Sequence, residues 1–120
     1  MFIHGGGFKG GLKDGPEMIA MANYYTSRGW VFLSIDYRTT EELCNAKELQ
    51  TCRQKVGAMI QNDLQNGTDE IETFYSGIAP TEWIDHAIPL IETPKELQVS
   101  IASYAAQRDA KAALRWIVAN

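Results

Sequence analysis

The chain has few of the side chains that usually carry chemistry: two histidines and two cysteines in 120 residues. A structural zinc site takes four Cys, His or carboxylate ligands at characteristic spacings. Cys44 and Cys52 have no compatible His or Asp cluster beside them, so no metal and no cofactor is expected. No Lys/Arg cluster is visible in a chain of formal net charge −4, which argues against nucleic acid, a partner bound mainly by phosphate neutralisation. No apolar run approaches the ~20 residues that cross a bilayer, and no charged-then-apolar leader opens the chain. There is no internal repeat and no low-complexity tract. What remains, 45% hydrophobic and 22% charged, is the composition of an ordinary globular protein.

The nucleophiles are also sparse. The serines are Ser27, Ser34, Ser76, Ser100 and Ser103, and none lies in a Gly-x-Ser-x-Gly pentapeptide. Ser76-Gly77 lacks the flanking glycines, and Ser34 falls in the middle of an apolar run. His86 has Asp85 beside it, but an isolated Asp-His pair is ordinary surface chemistry, because a triad is defined by geometry and roles. On one continuous helix, Cys44 and Cys52 would stand ~12 Å apart, too far for a disulfide. Two unpaired thiols are the favoured reading; a bridge in an exported enzyme, with Cys44 in a separate segment, is the alternative. Asn66-Gly67-Thr68 is a glycosylation sequon in form.

Against this background one motif stands out, His4-Gly5-Gly6-Gly7-Phe8. An oxyanion hole needs backbone N–H donors aimed at one point, and side chains on those residues would keep a substrate carbonyl away. Glycine removes the side chain and permits positive φ. Phe2-Ile3 reads as the tail of a strand, which puts the glycines at a strand end, the usual ligand edge of an open α/β sheet. His4 then braces the loop. Asp14 or Gly15 caps a helix that begins at Pro16 and stops at Gly29, and Trp30 to Ile35 follows as an apolar run of strand length.

His4 to Gly11 resembles the HGGGF motif of hormone-sensitive-lipase-like carboxylesterases in the α/β-hydrolase superfamily. Gly29 to Arg38 resembles that family's next strand with its terminal Asp-Tyr-Arg, and Asp109 to Asn120 resembles the helix that precedes the nucleophile strand. The resemblance covers roughly half of the chain, in family order. It implies an α/β fold, namely an incomplete α/β-hydrolase domain over 1–120: three α/β/α layers, a mostly parallel sheet, and a helical insertion at 39–93. It also implies a serine carboxylic-ester hydrolase acting on a small-molecule ester, with Gly6 and Gly7 as oxyanion donors. His4, Gly5 and Phe8 would support that loop, while Asp36, Tyr37, Arg38 and Asp109 would brace the structure. Because the family order is Ser, then acid, then His, the resemblance makes this the part before the nucleophile elbow, inactive by itself. One departure is plain: after Arg38 the family usually continues Leu-Ala-Pro-Glu, and this chain reads Thr39-Thr40-Glu41-Glu42.

Within 39–93, Leu49, Cys52, Val56, Ile60 and Leu64 recur at helical steps, and Asn66-Gly67 should end that helix. This stretch is read as a layer covering the sheet, with an acyl lid as the alternative. Thr93-Pro94-Lys95-Glu96 is a capping box that opens a helix reaching to about residue 118, with Leu97, Ile101, Tyr104, Ala105, Ala112 and Trp116 on one face. Asp109, inside it, is either solvated or bonded to a neighbouring loop, and the resemblance favours the second. Two other functions are considered. Gly5-x-Gly7-x-x-Gly10 followed by Asp36 matches a dinucleotide fingerprint, but Gly11 to Gly15 intervenes before the helix and Asp36 lies 26 positions after Gly10 rather than ~20. A non-catalytic hydrolase remnant is the other alternative.

Overall fold

The structure, a computed structural model, describes residues 1–44, 49–66 and 69–120. Its elements in chain order are β1 (Phe2–Ile3), α1 (Pro16–Thr26), β2 (Ser34–Ile35), α2 (Thr40–Cys44), α3 (Leu49–Asn66), α4 (Glu70–Phe74), α5 (Thr81–Ala87) and α6 (Pro94–Ala119), with a 3-10 turn at Ile88–Leu90 between the last two helices. The chain is 65% helical, and its described strands are two short parallel ones. This corrects the expected fold: it is a small helix-rich structure and not a three-layer hydrolase sheet. β1 and β2 pair with Phe2 opposite Ser34 and Ile3 opposite Ile35.

The physical reason lies in what a parallel strand requires. A strand apolar on both faces is stable only with strands beside it and helices over both faces. Here the Trp30 to Leu33 half of the run forms no strand, and Trp30 and Val31 stay 67% and 82% exposed. The small unit is held instead by ring contacts, Phe2 on Phe32 at 6.3 Å and Tyr25 on Phe32 at 6.2 Å.

The core sits in the stretch that the sequence presents as an insertion. Cys52 and Val56 of α3, Ile71 of α4, Ile84 of α5, and Leu97 and Ile101 of α6 form one buried cluster, joined by Tyr75 and Ala79. This layer packs on α6 rather than on a sheet. Helix start signals act as expected: α1 begins at Pro16 after an extended Gly15, and the Thr93 hydroxyl accepts from the Glu96 N–H at 3.3 Å. The Glu96 carboxylate, however, accepts from the Glu92 N–H at 2.8 Å rather than from Thr93. Asp63 of α3 caps α4 from outside, accepting from the Ile71 N–H at 3.1 Å.

Cys52 is disulfide-bonded, which overturns the reading of two unpaired thiols. The side chain of Cys44, and Gly67 and Thr68 of the sequon, lie outside the described residues. Among the described residues no helix is long and apolar enough to cross a membrane.

Candidate functional site

The glycine loop leaves β1 directly and is pinned at both ends. The His4 carbonyl accepts from the Tyr37 hydroxyl at 2.8 Å, a buried bond across 33 residues. The His4 ring, buried, stacks on the Tyr37 ring at 4.4 Å. At the other end the Phe8 carbonyl accepts from the Thr40 N–H at 2.8 Å, and the Phe8 ring meets Tyr37 edge-on at 6.1 Å. Tyr37 therefore serves both ends of the loop, and burial pushes its phenol above the ordinary value, which keeps it a donor.

Between the pins the backbone makes a tight turn. The Lys9 N–H donates to the Gly6 carbonyl at 3.1 Å, with positive φ at Gly7 (58°) and Phe8 (60°), as a type I′ turn requires. Gly6 has φ 128°, and a Cβ there would collide with the Gly10 carbonyl oxygen. Gly11 lies against the His4 ring so closely that a Cβ would collide with Nδ1. Gly7 is different, because space around its Cβ position is open. Close packing thus accounts for Gly6 and Gly11, whereas at Gly7 only the backbone angle does.

Gly5, Gly6 and Gly7 are exposed. Among the described residues no backbone carbonyl takes the N–H of Gly6 or Gly7. Two peptide donors are therefore free beside a buried scaffold, the chemical property that binding an anionic oxygen requires. A cleft of about 410 Å³ reaches the loop at His4 and Gly5, with Phe2, Leu12, Glu17 and Met18 also on its walls. The larger groove, about 840 Å³, runs between α3 and α4 around Met59, Asn62 and Phe74.

The His4 Nδ1 bonds the Gly5 carbonyl at 2.8 Å, so Nδ1 is the donor. Its Nε2 faces Asp36 Oδ1 at 3.7 Å, outside hydrogen-bond range. Asp36 is instead paired with Lys13 at 2.8 Å, and this bond raises the Lys13 pKa. His4 is thereby a bracing residue. His86 bonds the Glu82 carbonyl of its own helix at 2.9 Å, and it makes no bond to Asp85 or Ser76. Among the described residues no serine hydroxyl bonds a histidine ring.

Arg38 carries the site to the rest of the molecule. Its N–H donates to Asp109 Oδ2 at 2.9 Å, and its guanidinium grips the same carboxylate from Nε (3.1 Å) and Nη2 (2.9 Å). Burial pushes the Asp109 carboxyl up, but the bonds from Arg38 outweigh it and hold the group below its ordinary value. This clamp fixes the chain after β2 to α6 across 71 residues. The dinucleotide geometry, by contrast, is absent: the glycine turn closes at Lys9 and α1 starts at Pro16, so the glycines do not open the helix.

One group of residues was not legible as a run along the chain. Arg108, Lys111 and Arg115 are scattered in sequence but gather on one face of α6 beside Arg38, which corrects the impression that no Lys/Arg cluster exists. Their spacing of three and four was the available signal. No family model matches the chain, and neither a curated protein nor a solved structure matches it.

Proposed function

We propose that the chain supplies the oxyanion-binding loop of a carboxylic-ester hydrolase, with the Gly6 and Gly7 N–H groups as donors and the Phe2, Leu12 and Met18 cleft taking the acyl group. One observation carries this reading: the two N–H groups are exposed and free of backbone partners, while buried His4 and half-buried Phe8 on either side are bonded through their carbonyls. Such donors cost no reorganisation when charge develops on the substrate carbonyl. The helix-rich fold lends no support, so the proposal stands on the loop and on the resemblance of His4 to Gly11.

In this reading the nucleophile, the acid and the base come from outside these 120 residues, and the chain alone is inactive. The serine attacks the ester carbonyl, and the tetrahedral oxyanion sits on Gly6 and Gly7. The alkoxide then leaves with a proton from the general acid, and water releases the acid product from the acyl-serine. The test is labelling with a fluorophosphonate, which esterifies an activated serine, on protein expressed from its complete reading frame. A single adduct on a serine other than Ser27, Ser34, Ser76, Ser100 and Ser103 is expected. No adduct, or one on any of those five, would sink the proposal.

A further inference from the structure

A cleft of about 630 Å³ runs along α6, with Arg38, Pro80, Tyr104, Arg108, Lys111 and Arg115 on its walls. On the helix, Tyr104, Arg108, Lys111 and Arg115 follow at steps of four, three and four, so they share one face. The carboxylate of this cleft, Asp109, is consumed by Arg38, which holds both of its oxygens. Among the described residues, Arg108, Lys111 and Arg115 form no ion pair within 4.0 Å. The stripe is therefore an uncompensated patch of positive charge in a chain of net charge −4. Like charges one turn apart oppose helix formation, and the apolar packing of α6 lies upstream at Leu97, Ile101, Ala102, Ala105 and Ala106. Arg and Lys are good helix formers, but propensity does not select a face, and packing does not account for three exposed side chains.

We infer that this cleft binds a small phosphate ester, its phosphoryl oxygens gathered by Arg108, Lys111 and Arg115. Two guanidinium forks bind phosphate oxygens pairwise, and an ammonium adds a mobile donor. The stripe spans about 10 Å along the helix axis, longer than one phosphoryl group, which favours a diphosphate over a monophosphate. The half-buried ring of Tyr104, held by Trp83 at 5.3 Å, closes the end of the stripe toward the core and offers a surface for the organic part of the ligand. The inference is independent of the glycine loop.

The probe is inorganic pyrophosphate, titrated into the full chain and followed by amide chemical shifts at constant ionic strength. Saturable shifts confined to residues 104–115 and Arg38 are expected, with ADP giving the same map and tighter binding. The Arg108→Ala, Arg115→Ala double variant exchanges two exposed arginines for the best helix former and should weaken binding about tenfold or more. Lys95→Ala, at the other end of α6, should leave it unchanged. Shifts that do not saturate, that chloride reproduces, or that spread over all lysines and arginines would overturn the inference. So would unchanged binding in the double variant, or binding to anionic phospholipid vesicles with none to pyrophosphate or ADP. If the double variant fails to fold, the shift map of the unchanged chain decides.

Discussion

At the residue scale, Tyr37 holds the glycine loop more firmly than any glycine does. Its hydroxyl satisfies the buried His4 carbonyl, and its ring meets both His4 and Phe8. Replacing one partner of a buried hydrogen bond leaves the other unsatisfied, at about 1–3 kcal/mol. Tyr37→Phe should therefore lower stability by about that much, read as a shift in the urea midpoint at unchanged slope. Tyr75 makes the opposite case. It is 1% exposed, its hydroxyl has no partner among the described residues, and burial pushes its pKa up. Tyr75→Phe removes an unsatisfied polar atom and keeps the ring, so it should be neutral or stabilising in the same experiment. Asp109 sets a pH dependence. Its folded pKa lies below the ordinary carboxylate value, so the clamp contributes stability above that ordinary value and loses it as pH falls through the folded pKa. Thermal unfolding from about pH 5 down to about pH 2 should show wild type and Asp109→Asn converging. A constant gap would mean that the carboxylate charge is immaterial. None of these partnerships was written in the sequence, because each joins positions dozens of residues apart. The odd placement of an acid inside a helix, and the resemblance that made Asp109 a brace, hinted at the Asp109 clamp.

At the scale of elements, what could be read was local. Pro16, Asn66 and the Thr93 box mark helix ends because caps and breakers act through neighbouring backbone atoms. Thr93→Ala should cost about 0.5–2 kcal/mol, measured as a drop in unfolding free energy with the helical signal of the native state unchanged. Apolar faces were less legible. Along α3, Cys52 and Val56 are buried while Leu64 is 67% exposed, and along α6 Trp116 is 62% exposed despite its register with Leu97 and Ile101. A stripe is buried only where another element meets it, and α6 extends past its partners. Gln98 shows the reverse: it is buried on the core side of α6, with Arg53 Nε donating to its amide oxygen at 3.1 Å and its own amide donating to Cys52 Sγ at 3.4 Å. The strand expected at Trp30 to Ile35 formed only over Ser34 and Ile35 for the same reason, since its burial depended on neighbours that the two-stranded pair does not supply.

At the scale of the whole molecule, core and periphery exchange the roles that the resemblance implies. The supposed scaffold, β1 to β2, has no buried residue in its helix, whereas the supposed insertion joins α6 to make the core. The radius of gyration is 17.3 Å, with extents of 59 × 29 × 21 Å, where a compact chain of this length would have about 14 Å. Part of that length is α6, about 39 Å at 1.5 Å per residue. Trp30 and Trp116 stand in solvent and Trp83 packs against Tyr104. Iodide should therefore quench most of the native tryptophan emission, and the Trp30→Phe, Trp116→Phe double variant should retain an emission that iodide barely reaches. Uniformly low accessibility would show that the exposed apolar surface is covered in solution.

The central claim is that the free N–H groups of the glycine loop stabilise an ester-hydrolysis oxyanion, and the most direct measurement is kcat for p-nitrophenyl butyrate in protein expressed from the complete reading frame. An amide-to-ester exchange at Gly7, glycolic acid in place of glycine, deletes one donor and keeps the φ of 58° that proline, locked near −65°, could not adopt. Gly5→Ala, with open space and no positive φ, keeps its N–H and serves as the control. A fall in kcat of about 10²–10³ for the ester-linked Gly7 protein, with Gly5→Ala near wild type and both folded by circular dichroism, is the predicted result. An undiminished kcat in the ester-linked Gly7 protein would contradict the account.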